Sequence, residues 1–146
     1  MVKRTQRLEP VDRLARSAER DCARRLAGAQ QRVVDAEQRC VELERYREEY
    51  HQAFRARAVS GVRAQGLREF QTFIARLDEA LRQQHLLLLQ LRGEQEREHL
   101  QWRNAAVRSS AVGKVIENAK REERQVEDRR LQHELDERAQ RQGARR

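Results

Sequence analysis

Apolar residues return at alternating three- and four-residue steps along most of this chain, and that periodicity constrains the fold more than any other feature. From Leu67 to Val126, heptad position a is held by Leu67, Ile74, Leu81, Leu88, Gln95, Trp102, Ser109 and Ile116. Position d is held by Phe70, Leu77, Gln84, Leu91, Glu98, Ala105, Val112, Ala119 and Val126. A second run puts Leu26, Val33, Cys40, Arg47 and Phe54 at a, and Cys22, Ala29, Ala36, Leu43 and Tyr50 at d. A repeat averaging about 3.5 residues holds one stripe of a helix toward a partner helix, which is the requirement for a coiled coil.

With 38% charged and 4% aromatic residues, the chain has too little apolar mass for a compact core but enough for a two-helix seam. One proline, six glycines and long runs of Arg, Glu, Gln, Ala and Leu favour helix, because these side chains lose little rotamer freedom there. The expected fold is all-α, two long helices in an antiparallel coiled-coil hairpin, forming one unit over residues 1–146. Within it the pattern predicts a basic tail over 1–9, helix one over 10–57, a loop over 58–66, helix two over 67–138 and a basic tail over 139–146. Pro10 suits a first helical turn, where its missing N–H would have no partner, and Ser60, Gly61 and Gly66 mark the loop. Near the start the apolar set Leu8, Val11, Ala15 and Ala18 reaches Cys22 and Leu26 by two four-residue steps, which predicts a stutter.

So short a loop makes the helices neighbours. Setting residue i opposite residue 124 − i brings Phe54 to Phe70, Tyr50 to Ile74, Leu43 to Leu81, Ala36 to Leu88 and Cys22 to Trp102. The same register sets Ala29 against Gln95 and Leu26 against Glu98, near Gly28 and Gly93, and predicts a soft layer there. Beyond Ala119 helix two has no partner in the chain, and a helix without packing is marginal in water.

Enzymatic chemistry finds no support in the sequence. No P-loop or GxSxG occurs, and His51, His85, His99 and His133 lack the spacing of a metal motif. Neither an enzyme nor a cofactor is expected, and Cys22 and Cys40 read as small seam residues. The opening residues lack an apolar signal core and no run reaches the ~20 apolar residues of a membrane span, so a cytoplasmic protein is expected.

Function is therefore sought outside the seam. Residues 31–102 contain twelve Arg and twelve acids, whereas 1–30 and 103–146 contain twenty Lys or Arg against twelve acids, so the open end carries the net charge of +8. Such an end suits docking onto an acidic surface. Near the loop, positions g hold Tyr46, Ala53, Phe73, Ala80 and Leu87, while positions e hold Glu44, His51, Asp78, His85 and Arg92. One edge of the pair is thus apolar and the other polar. An apolar aromatic edge suits a protein partner, with Leu86 and Leu89 beside it.

The stretch AEQRCVELERYREEY from Ala36 to Tyr50, the FQTFIARLDEAL block from Phe70 to Leu81, and the later Trp102 resemble FliJ, a family of small coiled-coil components of the bacterial flagellar type III export apparatus. The resemblance covers nearly the whole chain. It implies a hairpin similar to the central stalk of rotary ATPases, acting as a non-enzymatic coupling factor that binds the export ATPase FliI and the export gate FlhA and escorts export chaperones. Carried over by residue, the gate surface would be Leu43, Tyr46, Tyr50, Phe73, Leu77, Ala80 and Gln84, with Arg39 where the family can carry another polar residue. The ATPase-facing end would be the paired termini, with Arg13, Arg16, Arg20, Arg24, Lys120, Arg121 and Arg124 as its basic contacts. The protein would then sit peripherally at the cytoplasmic face of the inner membrane. A stalk of a virulence secretion system is the nearest alternative. A basic coiled coil binding nucleic acid is less favoured, because acids accompany the bases in both terminal segments, and no nucleic-acid partner is expected.

Overall fold

A computed structural model describes residues 3–145; residues 1, 2 and 146, which belong to the two expected basic tails, lie outside the described residues. Two helices account for nearly all of it: α1, Arg4–Ala58, and α2, Ala64–Ala144, packed antiparallel against each other. Among the described residues there is no strand. Contacts group the chain into two compact units, a loop-end unit, Ala23–Gln101, and an open-end unit, Met1–Cys22 with Trp102–Arg146.

All four expected helix boundaries move outward, the end of α1 by a single residue to Ala58. α1 begins at Arg4, so Pro10 lies inside the helix and the carbonyl of Gln6 has no N–H to accept from at the usual position. What favours the longer helix is anchoring. Thr5 is buried, its backbone N–H donates to Glu123 at 3.1 Å, and Arg4 pairs with Glu122 at 3.5 Å. α2 begins at Ala64 rather than Leu67, because Ala64 and Gln65 are good helix formers and Gly66 is tolerated where a Cβ would press to 3.2 Å from Val62. It ends at Ala144 rather than 138, continuing through Ala139, Gln140 and Arg141.

The turn is tight. The Ser60 and Gly61 N–H groups donate to the carbonyls of Arg57 and Ala58, and Gly61 takes a φ of 96°, a conformation that glycine adopts without the Cβ penalty.

In the loop-end unit the seam is the one the heptads specify. Phe54 and Phe70 stack at 3.9 Å between ring centroids, and Tyr50 lies 4.2 Å from Phe73 and 5.5 Å from Phe70. Further along, Leu77, Leu81 and Leu88 are buried, as are Ala29, Val33, Ala36 and Cys40. Ala36, fully buried, shares a cluster with Leu88 and Leu91, so a small residue admits large ones from the facing helix. The seam is polar where the heptads place Gln95 and Glu98, and also at Gln84. Gln84, Gln95 and Glu98 occupy half-buried seam positions, and Gln84 Oε1 is buried with no hydrogen-bond partner. Glu98 Oε2 lies 3.4 Å from Arg25 Nε, close enough for charge attraction but without hydrogen-bond geometry.

In the open-end unit the expected stutter does not occur. Thr5, Ala15, Cys22, Ser109, Ile116 and Ala119 are buried, while Leu8, Asp12 and Glu19 are half-buried. Val11 remains 49% exposed and Ala18 is exposed. The unbroken heptad, with Thr5, Asp12 and Glu19 at a and Leu8, Ala15 and Cys22 at d, is therefore the one that faces α2. Helix geometry, not the search for apolar residues, selects the stripe. Past Glu123 the helix is exposed at every described residue, including Val126, Leu131 and Leu135.

Candidate functional site

The apolar edge of the loop-end unit begins with its aromatics. Tyr46 stands at g of α1 and is 49% exposed, and its ring meets Phe73, at g of α2, edge-on at 5.9 Å. Tyr50, one turn on, holds Phe73 from the seam side. Aromatic pairs in these geometries add about 0.5–1.5 kcal/mol beyond burial, so the edge is fixed in place although one ring remains open to solvent.

Beside Tyr46 lies an open cavity of about 630 Å³ lined by Arg39, Glu42, Leu43, Tyr46, Ala80, Gln83 and Gln84. Ala80, small and half-buried, leaves the space that Tyr46 and Leu43 border. Gln84 contributes a buried amide oxygen with no hydrogen-bond partner among the described residues, and Arg39 and Glu42 are exposed at the rim. Apolar walls with a few convergent polar groups are what an inserted side chain of a partner requires.

Five of the eight residues expected at the gate surface, Arg39, Leu43, Tyr46, Ala80 and Gln84, line this cavity together. Tyr50 and Phe73 border a neighbouring one of about 690 Å³, with Arg68, Thr72 and Arg76. Leu77 is only 7% exposed and belongs to the seam. Glu42 and Gln83 were not foreseen. Both stand at position c, which follows g on the helix surface, so extending the edge by one position would have found them.

The opposite edge is held by charge. Arg47 pairs with Asp78 at 2.9 Å, Arg92 with Glu37 at 3.3 Å, and His85 Nε2 lies 3.6 Å from Glu44. These pairs are solvent-exposed and each contributes little, about 0–1 kcal/mol. They keep that edge hydrated, which leaves the Tyr46 edge as the apolar one.

Arg13, Arg16, Arg20, Lys120, Arg121 and Arg124 of the open-end unit are all exposed, as is Arg24, which falls just inside the loop-end unit. Arg16 and Lys120 come together, lining a cavity of about 550 Å³ with Glu9, Asp12, Lys114 and Glu117. Arg16 Nε lies 3.1 Å from Asp12 Oδ2, and Asp12 Oδ1 is buried with no hydrogen-bond partner. The basic surface is thus interleaved with acids. Glu123 is held below the usual carboxylate range chiefly by the backbone N–H of Thr5, which ties the start of α1 to α2.

Among the described residues no three His, Cys, Asp or Glu side chains gather as a metal site, and no helix is long and apolar enough to cross a membrane. The profile of a family described as Flagellar FliJ protein matches residues 4–146. Comparison with curated proteins and with solved structures returned no match.

Proposed function

From the premise that this chain belongs to the FliJ family, and is thereby a flagellar export-related coiled-coil protein, we propose that it works without catalysis as a coupling factor between an export ATPase and an export gate. The gate, FlhA, is contacted by the Tyr46 and Phe73 edge. The ATPase, FliI, is contacted by the open-end arginines and Lys120. Both partners place the protein in the cytoplasm, peripheral to the inner membrane through the export apparatus.

One observation carries this reading: the cavity beside Tyr46 is lined by five of the residues that the family resemblance assigns to gate contact, and the heptad pattern had already marked Tyr46 and Ala80 as an apolar edge. The decisive variant is Tyr46→Ala with Phe73→Ala. Its helicity should match the wild type by circular dichroism and motility should be lost; a folded, fully motile variant would sink the gate assignment. For the open end, the purified chain should co-purify with the export ATPase and raise its turnover, and absence of both effects would remove the coupling role.

A chaperone-escort role is a second reading, favoured by Leu86 and Leu89, which are 49% and 64% exposed. Leu89→Glu tests it more cleanly than a change at Leu87, which is half-buried. Chaperone binding unchanged by Leu89→Glu would count against it. Acids interleaved with the open-end bases favour a protein partner over nucleic acid, because carboxylates along a phosphate track cost affinity.

A further inference from the structure

The balance of charge over residues 31–102 conceals a local separation. Residues 54–77, which make the turn and the helix ends beside it, hold five arginines and one acid, Glu69; the remainder of 31–102 holds seven arginines and eleven acids. With a screening length of about 8–10 Å in physiological salt, a surface responds to its own neighbourhood and not to the average. The tip of the loop-end unit is therefore a cationic patch of its own.

The same tip exposes apolar side chains, one almost fully and two in part. Val59 is 90% exposed, Val62 38% and Leu67 43%. Arg55, Arg57, Arg63 and Arg68 stand exposed around them. Arg57 and Arg63 also line a concavity of about 390 Å³ formed by the Ser60–Gly61 turn. Nothing acidic lies in the first turn of α2, so the positive end of that helix adds to the guanidinium charge.

We infer that this tip docks onto an anionic lipid surface, with Val59 and Val62 entering the headgroup boundary and the surrounding arginines meeting lipid phosphates. Branched apolar side chains at an apex ringed by arginines fit that medium. It offers phosphate and an apolar layer at adjoining depths, and arginine stems can lie along the boundary with the charge outward. Nucleic acid offers the phosphate but not the layer. With so few apolar residues the attachment is weak and reversible, and its strength falls as salt rises. The inference concerns direct lipid contact, and the gate and ATPase contacts are not needed for it.

The test uses the full chain and co-sedimentation with vesicles rich in phosphatidylglycerol, against vesicles of phosphatidylcholine alone. Binding is expected on the first and not on the second. Arg57→Gln, Arg63→Gln and Arg68→Gln together should lower the partition coefficient about 100-fold, taking roughly fivefold per arginine. Val59→Ser should lower it severalfold by removing apolar burial. A charge-matched control, Arg129→Gln, Arg138→Gln and Arg141→Gln, should bind within about twofold of wild type, since these exposed residues lie outside the tip. Equal losses in the two triple variants would overturn the inference, because net charge alone would then account for binding. So would undiminished binding by the tip variant. Sensitivity to the arginines without sensitivity to Val59 would overturn the entry of the apex into the headgroup boundary, because charge attraction to the headgroups would then account for all of the binding. Circular dichroism on each variant confirms that helix content is retained.

Discussion

The two units are built on the same heptad but with different materials. In the loop-end unit the seam runs through stacked aromatics and buried Leu77, Leu81 and Leu88 against Ala36 and Cys40. In the open-end unit the buried positions include Thr5 and Ser109, and Asp12 and Glu19 occupy a positions. The comparison separates pairing from stability. A 3.5-residue repeat keeps two helices face to face whatever fills it, whereas the free energy of the pairing depends on how much apolar surface leaves water.

The comparison breaks most readily in the loop-end core. Leu88→Ala removes a side chain that is 7% exposed and packs on fully buried Ala36, and should cost about 2–5 kcal/mol in urea unfolding. A loss under 1 kcal/mol would mean that this unit is no better packed than the other.

The reciprocal change sharpens the contrast. Asp12→Leu replaces a carboxylate with a buried, unpartnered oxygen by an apolar residue at a. It should stabilise the open-end unit by about 1 kcal/mol, since an unsatisfied buried group costs ~1–3 kcal/mol and the exposed Arg16 partner returns little. Slower amide exchange in residues 5–22 would show it, and unchanged exchange would contradict it. Gly61→Ala forces a side chain into a φ of 96° and should cost about 1 kcal/mol in the same unfolding assay.

The smallest effects are electrostatic. Glu79 is lowered to about 2, chiefly by the hydrogen bond from Arg82, with a second from Gln83. Glu123 is lowered by the Thr5 backbone N–H. A carboxylate whose folded value is depressed contributes stability that is present above its unfolded value near 4.5 and is lost as pH falls toward the folded one. Carboxyl chemical shifts should therefore show Glu79 titrating near 2, and Glu123 below the usual range only while Thr5 is docked. Titration of Glu79 near 4.5 would mean that Arg82 does not hold it.

How much of this was legible in the sequence follows from the same contrast. Where a and d are apolar, as from Phe70 to Leu81, the repeat can be read directly and the burial agrees with it. At the start of α1 the repeat is carried by Thr5, Asp12 and Glu19, and Val11 and Ala18 offer an apolar but incorrect stripe, so the reading slipped. Pro10 misplaced the helix start because its local preference was weighed without the Thr5–Glu123 anchor, a contact between residues far apart in sequence. At the gate edge, position g identified Tyr46, Phe73 and Ala80, whereas Glu42 and Gln83 carry no hydropathic mark. The cationic tip was hidden by summing charge over too long a window.

The bare end of α2 has one more consequence. From Arg124 to Ala144 the helix meets solvent on all sides and carries five arginines, so its backbone is protected only by its own marginal helicity. Trypsin should trim it in steps and slow near the stretch that α1 covers. The rate of that trimming is a clock for occupancy: any partner that closes over this segment makes itself visible as the delay before the first cut.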